Sequence, residues 1–317
     1  MTKRGVVVSV LVVAAVATGA FWMSPVGAEE ADDAPVAGEL GRLDKESAKQ
    51  IFGKPGYSPY PGRNYPTRPL FGDTHLHTKL SMDAGAFGNR LGMDEAYRFA
   101  RGETVTSSTG LKARLSRPLD FCVLSDHSDG MGFFQMLQEG DPLVMSEELG
   151  RKWNKMLKEG KGVDVSLELI GLFSQGQLPW QTNDPRMMKP VWRSIVEAAE
   201  RYNDPGRFTA FIGYEWTSLI KGNNLHRVVI YRDDGDQAIK TLPFTNADSP
   251  DPEELWKALA AYEEKTGGSV LAIPHNGNLS NGMMFATTTV GGKPLDAEYA
   301  KMRHRWEKLY EVTQIKG

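Results

Sequence analysis

From Leu70 onward, short apolar runs alternate with polar stretches along the chain. The runs have the length and the β-branched and aromatic content of strands, and they are LFGDTHLHT, LDFCVLSDH, FTAFIGYEWTS, LHRVVIYR, SVLAIPHN and KLYEVTQI. Three stretches between them have the pattern of helices: MDEAYRFARG, VWRSIVEAAERYN and DPEELWKALAAYEEKTGG. Strands that alternate with helices predict βα units around a parallel sheet, and therefore an α/β fold.

Two segments interrupt this alternation. Residues 136–190 form a partly helical stretch that is longer than an ordinary connection, so we expect an insertion over one face of the domain. Residues 29–69 are first acidic and then rich in Pro, Gly and Tyr, without sustained periodicity. We expect them to form an extended leader, which leaves residues 70–317 as the main domain.

The first residues have the layout of a secretory signal peptide. A short cationic start precedes an apolar run from Val6 to Met23, and small residues follow up to Ala28. The alternative is an uncleaved anchor, because the run approaches the roughly 20 residues that span a bilayer. Pro25 and the small residues favour cleavage after Ala28. We therefore expect residues 1–28 to be removed, and a periplasmic or secreted protein with no stable membrane span.

Charge and cysteine content narrow the function further. The chain has 37 Lys and Arg against 40 Asp and Glu, a formal charge of -3. Cleavage would remove two basic residues and no acidic residue, which changes the charge to -5. Without a basic excess we expect no nucleic-acid partner. The single cysteine, Cys122, has no partner for an intrachain disulfide, and its apolar neighbours predict a core position.

Five of the six histidines lie in or beside the predicted strands, mostly where a strand gives way to a loop. Catalytic residues gather at that edge of an α/β barrel. His75 and His77 are two residues apart on one strand, so they share a face with Asp73 and both imidazoles can bind one metal ion. A second element of ligand type, Asp126 followed by His127, ends the next strand.

Glu215 follows a run that we expect to be buried, where an unpaired charge is costly. A metal ion would remove that cost, and the alternative is a salt bridge to a neighbouring arginine. His226 and His275 follow in later strands, and either one alone could be an ordinary core histidine. Together with the earlier elements they predict a metal site. Imidazole-rich sites suit zinc, iron and manganese better than calcium.

These ordered motifs resemble the PHP (polymerase and histidinol phosphatase) superfamily and, within it, the DUF3604 group. The resemblance extends from Phe71 to the last residue, and its pieces are FGDTHLHT with SMDAGAFG, RPLDFCVLSDHSDGMG, FIGYEWTS, NNLHRVVIYRD, AIPHNGNLSNGMMF and EVTQIKG. It implies a distorted (β/α)7 barrel that holds two or three divalent ions, usually zinc, manganese or iron, and hydrolyses phosphate esters.

The resemblance also implies roles for individual residues. The metal ligands would be His75, His77, Asp83, His127, Glu215, His226 and His275. Glu215 matches the bridging carboxylate, and Asp126 would be a ligand or an orienting partner of His127. The family's final Asp-x-His motif does not appear before Gly317, and KLYEVTQIKG has the pattern of a buried strand that needs further elements to close a barrel. We therefore expect a PHP-type barrel truncated before its last strand.

The resemblance implies that a hydroxide, generated on the metal ions, attacks the phosphorus of a small-molecule phosphate ester or a similar anionic substrate. The candidate substrate contacts are Asn224, Arg227, Asn276 and Asn278. The asparagines could instead bond their own backbone in tight turns. Arg227 alternates with His226 along the strand, so we expect it to face away from the metal.

Two alternatives remain open at the level of sequence. An amidohydrolase-type barrel also begins with His-x-His and cleaves amides or esters, but that family uses a metal-bridging lysine on a middle strand, where this chain has Glu215. A non-catalytic module could keep the metal site in order to hold a phosphorylated or anionic ligand.

Overall fold

The computed structural model describes residues 68–180 and 183–314. The expected signal peptide and nearly all of the expected leader lie outside these residues. Within the described ranges, no helix combines the length and the apolar character that crossing a membrane requires.

The first part of the fold is a parallel pair of strands connected by two helices. Its elements in chain order are β1 (Gly72–Leu76), α1 (Met82–Ala86), α2 (Met93–Ala100), the short antiparallel pair β2 (Val105–Thr106) and β3 (Lys112–Ala113), and β4 (Phe121–Leu124). β1 and β4 are parallel, with Gly72 opposite Phe121. The predicted helix MDEAYRFARG is α2, and Gly102 follows it with a φ of 81°, a conformation that glycine adopts at little cost.

Residues 133–174 and 185–202 are mostly helical. They form α3 (Phe133–Glu139), α4 (Pro142–Met145), α5 (Glu148–Lys158), α6 (Gly162–Ser174) and α7 (Pro185–Tyr202). A hydrophobic cluster separate from the main core buries Trp153, Phe134, Leu137 and Leu169 of these helices. α7 includes the predicted helix VWRSIVEAAERYN and packs instead on the main core through residues such as Trp192.

The second part of the fold begins with two strands that are separated by a single residue. Its elements are β5 (Thr209–Phe211), β6 (Gly213–Trp216), β7 (Leu219–Ile220), β8 (Asn223–Asn224), β9 (Arg227–Tyr231), α8 (Gly235–Ala238), α9 (Pro252–Thr266), β10 (Val270–Pro274) and α10 (Ala297–Trp306). β5 completes the parallel sheet β1-β4-β5, and β6 belongs to the sheet β6-β9-β10. α9 matches the predicted helix, with Asp251 accepting a hydrogen bond at its start and Gly267 at its end.

The prediction of a parallel sheet holds for β1, β4 and β5 and is wrong for the sheet of β6, β9 and β10. β9 runs antiparallel to both β6 and β10. The chain returns from β6 to β9 through the short β7–β8 hairpin, and a hairpin reverses direction where a helical crossover would preserve it. The fold is therefore mixed α/β, and the strands of the described residues do not close into a barrel.

The prediction of a buried strand in KLYEVTQI is also wrong. Residues 307–314 form no strand, and the side chains of Leu309 and Val312 are 58% and 85% exposed. Within the described residues, the backbone contact of this segment with β10 is a single hydrogen bond from Glu311 N to Pro274 O. A single hydrogen bond does not pair the segment with β10 as a strand. The segment therefore lies outside the sheet, and its apolar side chains remain exposed.

The main core lies between the sheets and helices α2, α7 and α9. Trp192, Trp216, Trp256 and Tyr97 are fully buried in it. Cys122 has no exposed surface, which confirms its predicted core position, and burial raises the pKa of its thiol above the ordinary value.

An ion pair is buried beside this core. Arg227 Nε lies 2.9 Å from Glu307 Oε1, and the two side chains are 2% and 1% exposed. The same oxygen accepts from the Trp256 indole N–H at 2.9 Å, and Arg303 binds the other oxygen at 3.0 Å. Glu307 thus joins β9, α9 and α10.

We predict that Glu307→Gln lowers the free energy of unfolding by about 3–5 kcal/mol, because it leaves Arg227 buried without its counter-charge. Urea unfolding measures this change. The matched control is Glu298→Gln, which removes a carboxylate paired with Lys301 at the exposed surface of α10 and should cost no more than about 1 kcal/mol. Equal stability of the two variants would contradict the role of Glu307.

Candidate metal centre

Five imidazoles surround one buried carboxylate at an edge of the two sheets. The carboxylate is Glu215, which has no exposed surface. The imidazoles that face it belong to His75, His77, His127, His226 and His275. The structure thus brings together six of the seven predicted metal ligands around one side chain.

The direction of each strand explains how these residues meet. β1 ends beside His75 and His77, β4 ends just before His127, and Glu215 lies near the end of β6. His275 follows β10 directly, whereas His226 precedes β9. Because β9 is antiparallel to β6 and β10, its beginning lies at the same edge as their ends.

The contacts of Glu215 are short and involve both oxygens. Oε1 lies 2.7 Å from His226 Nδ1 and 2.7 Å from His275 Nε2. Oε2 lies 2.7 Å from His77 Nε2, and 3.3 Å from nitrogens of His75 and His127. In the described part of the chain, no lysine or arginine forms an ion pair with Glu215. The alternative of a salt bridge to arginine is therefore not what these residues show.

Burial and the facing imidazoles oppose each other at this carboxylate. Burial alone would raise the pKa of Glu215, but electrostatic interaction with the facing imidazoles of His127, His275 and His226 outweighs burial, and the pKa lies well below its ordinary value. Glu215 is therefore a carboxylate anion in the core, where a bare charge costs several kcal/mol unless it is compensated.

The imidazoles differ in their preferred state. Burial holds the pKa of His226 at about 4 and lowers the pKa of His275. For His75, burial also acts to lower the pKa, but contacts with Glu215 and Glu311 outweigh burial and raise it to about 9. His226 and His275 are thus neutral imidazoles near pH 7, the form that donates a lone pair to a metal ion.

Asp83 connects two of the imidazoles from the side opposite Glu215. Its Oδ1 lies 2.9 Å from His77 Nδ1, and its Oδ2 lies 3.4 Å from His127 Nε2. Asp83 sits in α1, and the Ser81 hydroxyl donates to it at 2.7 Å. The predicted ligand Asp83 therefore lies within the centre.

Asp126 has a different environment. Its two oxygens accept hydrogen bonds from the backbone N–H of Thr78, at 2.5 Å, and from the Thr78 hydroxyl, at 2.8 Å. Burial raises the pKa of this carboxyl above the ordinary value. Asp126 thus holds the backbone next to His77, and it is not among the described residues whose donor atoms cluster for a metal ion.

Glu311 belongs to the centre although the sequence did not single it out. Its Oε2 lies 2.8 Å from His75 Nδ1, and it forms a potential ligand group with His75 and His275. Burial would raise the pKa of Glu311, but the hydrogen bond from His75 outweighs burial and lowers it. The residue was overlooked because KLYEVTQI was interpreted as a buried strand, although a carboxylate within such a run was itself a signal.

The donor set fits divalent metal ions. The described residues form four overlapping groups whose donor atoms lie within 4.8 Å of one another: His75, His275 and Glu311; His75, His77 and Glu215; His77, Asp83 and His127; and His127, Glu215 and His226. Nε2 of His226 is buried without a hydrogen-bond partner. Buried polar atoms normally have partners, and a metal ion would supply one to this nitrogen.

The predicted substrate contacts lie in different places. Arg227 faces away from the centre and pairs with Glu307. Asn276 is buried next to His275, where its Oδ1 binds Gln314 Nε2 and its Nδ2 has no hydrogen-bond partner. Asn224 is half-buried in β8, and Asn278 is exposed. Of the three asparagines, Asn276 is thus the one that is buried and adjacent in the chain to an imidazole of the centre.

A cavity of about 470 Å³ opens onto the centre beside β1. It is lined by four residues of the centre, His75, His77, Asp83 and Glu311, together with Gly72, Asp73, Thr74, Thr313 and Gln314. A small molecule in this cavity would touch the imidazoles directly.

Comparison with known proteins gives one match. Residues 64–317 match the model of a family described as "Protein of unknown function (DUF3604)". Neither a curated protein nor a solved structure shows a match to this chain.

We predict that Glu311→Gln reduces the bound metal but does not abolish metal binding, because Glu311 joins only one of the four ligand groups. Elemental analysis after equilibration with zinc or manganese measures this loss. Glu307→Gln, four residues earlier and paired with arginine, is the control and should retain the full metal content. Retention of all metal by Glu311→Gln would exclude Glu311 as a ligand.

Proposed function

This chain belongs to the DUF3604 family, and we propose that it is an exported, metal-dependent hydrolase that acts on phosphate esters. One observation supports this proposal above the others: a fully buried carboxylate, Glu215, faces five imidazoles and, in the described residues, neither lysine nor arginine. A salt bridge for stability needs one cationic partner. Five imidazoles, at least two of them neutral and thus able to bind a metal ion, are the donor set expected of a metal site.

The overlap of the ligand groups suggests two or three divalent ions. Glu215 contributes to two groups, which is the arrangement of a bridging carboxylate. Asp83 and Glu311 provide carboxylates at the two ends of the cluster. Because imidazole dominates the donor set, zinc, manganese and iron are the metals that we propose.

Divalent ions in such a site lower the pKa of coordinated water and neutralise negative charge on a phosphoryl group. The protein residues hold the ligands in place. The Thr217 hydroxyl lies 2.7 Å from His127 Nδ1, and the Ser81 hydroxyl donates to the proposed ligand Asp83 at 2.7 Å. Such outer contacts determine which nitrogen of each ring is free to bind.

A protein nucleophile is not needed in this proposal. The Ser81 hydroxyl lies beside the cluster, but Ser81 has no exposed surface and its hydroxyl donates to Asp83. It also accepts the backbone N–H of His127 at 3.2 Å. Ser81 thus positions ligands, and the attacking group would be a water molecule from the cavity.

The PHP-type barrel is the fold that we propose for the family. Its support is that the proposed ligands His75, His77 and His127 lie near the carboxyl ends of the parallel strands β1 and β4, as catalytic residues do in α/β barrels. The rival amidohydrolase type uses a bridging lysine where this chain has Glu215, so the donor set favours a phosphoesterase. A binding module without catalysis would share the metal site and differ only in turnover.

We predict that Glu215→Gln removes most of the bound metal and, with it, hydrolysis of phosphate esters. The change keeps the volume of the side chain but removes the charge that would offset the cations. Elemental analysis, a hydrolysis assay and thermal melting should be measured on the same preparations.

Glu307→Gln provides the matched control, since Glu307 is equally buried but paired with arginine. It should melt at a lower temperature with its metal content intact. If Glu215→Gln behaved like this control, Glu215 would be a structural residue and the metal centre would lose its main support.

The reaction class is tested with wild-type protein loaded with zinc, manganese or iron. Phosphomonoesters, phosphodiesters, sulfate esters and amides are offered in parallel, and a chelator should abolish turnover. Cleavage of amides but not of phosphate esters would favour the amidohydrolase type. Metal binding without cleavage of any substrate would identify a binding module.

We also predict that the mature protein begins at or near Glu29 and is found outside the cytoplasm, because the start of the chain has the pattern of a cleaved signal peptide. N-terminal sequencing of the native protein measures this directly. A sequence that begins at Met1 or Thr2 would contradict export by this route.

A further inference from the structure

The cavity beside β1 has an unusual charge for a site that would hold a phosphate ester. Asp73, Asp83 and Glu311 line it, and the described lining includes neither lysine nor arginine. Sites that bind phosphate through the protein alone use arginine or lysine. In this cavity the phosphoryl group would therefore depend on the metal centre alone.

Asp73 is the one carboxylate among the described lining residues that is not a proposed metal ligand. Asp83 and Glu311 belong to the ligand groups, whereas Asp73 belongs to none of those found in the described residues. It is exposed at the start of β1, and its Oδ1 accepts the backbone N–H of His75 at 2.8 Å. This bond holds the carboxylate of an exposed lining residue in place, two residues before the first imidazole.

The net charge of the metal-loaded centre limits which substituents of a substrate the cavity would attract. The carboxylates of the ligand groups, Glu215, Asp83 and Glu311, bring three negative charges to the centre. Two divalent ions bring four positive charges, three ions bring six, and a phosphate monoester brings nearly two negative charges near pH 7. The loaded centre would then carry about one net negative charge with two ions and about one net positive charge with three. At most about one positive charge would remain to attract a second anionic group, and the negative charge of Asp73 would offset it.

Resting on the proposed function, we propose that the substrate is a phosphate ester whose alcohol part bears a cationic group such as an ammonium, and that Asp73 selects it. The phosphoryl group would lie beside the imidazoles of His75 and His77, and the cation would lie near Asp73. An ester with a carboxylate or a second phosphate in that place would meet Asp73 with like charge.

The remaining polar residues of the cavity are neutral, so they do not oppose this selection. Hydroxyl and amide groups come from the lining residues Thr74, Thr313 and Gln314. Gln314 is itself held by the side chain of Asn276. Neutral groups of this kind bind hydroxyl or amine substituents and would supply no counter-charge for a second anion.

The test measures binding of three phosphonates of similar size to the metal-loaded protein by isothermal titration calorimetry. The three are 2-aminoethylphosphonate, propylphosphonate and 3-phosphonopropionate, whose ends are cationic, neutral and anionic. One charge about 4 Å away contributes about 1 kcal/mol even in water. The cationic compound should therefore bind about fivefold more tightly than the neutral one, and the anionic compound about fivefold more weakly.

Two variants separate charge selection from stability. Asp73→Asn should bring the three dissociation constants together while leaving binding of the neutral compound and the metal content unchanged. Asp94→Asn is the control, because Asp94 is also an exposed carboxylate but pairs with Arg201 and does not line this cavity. It should preserve the wild-type ratios. The ratios of the wild type should also shrink as salt is added, because an exposed charge is screened.

The outcomes distinguish this inference from the proposed function. Equal binding of the three compounds, tighter binding of the anionic one, or unchanged ratios in Asp73→Asn would overturn selection by Asp73 while metal-dependent hydrolysis stands. If no phosphonate bound and no ester were cleaved, the phosphoesterase proposal would fail and this inference with it. Ordered affinities that depend on Asp73 would support the inference.

Discussion

The structure depends on how one buried negative charge is compensated. Glu215 lies in the core without exposed surface, and every described group that neutralises it is an imidazole. An imidazole can be charged or neutral, so this arrangement can exchange protons for metal ions without moving the backbone. An arginine in the same place would fix the charge permanently. The contrast with Glu307, which has arginine partners, shows that the chain uses both solutions for buried carboxylates.

The same constraint explains why a mixed sheet serves the site better than the expected parallel one. Ligands must come from several strands to reach a single carboxylate. In a parallel sheet they would all follow their strands, but the β7–β8 hairpin reverses β9, so that a residue preceding a strand, His226, reaches the same edge. The hydrogen bond from His275 N to His226 O joins the two neighbouring ligands at this edge.

Sequence patterns predicted the parts that depend on local chemistry. Histidines at strand ends predicted five imidazoles that the structure brings together, and a carboxylate after an apolar run predicted the position of Glu215 among them. Strand direction was not predictable, because alternation of residues along β9 is the same in either direction. Glu311 was missed for a related reason. The apolar pattern around it indicated a buried strand, while its actual position depends on packing against β10 and His75, which lies 236 residues away in the chain.

The helices of residues 133–174 contribute to the centre without supplying a ligand. Asp83 sits on α1, which has only five residues and is far too short to be stable alone. Met82 and Ala86, on either side of Asp83, are buried in the hydrophobic cluster that Phe134 and Leu169 form with the other inserted helices. Burying such side chains contributes about 1.5–3 kcal/mol each for the larger ones. The inserted helices therefore keep α1 folded, and α1 in turn keeps Asp83 between His77 and His127.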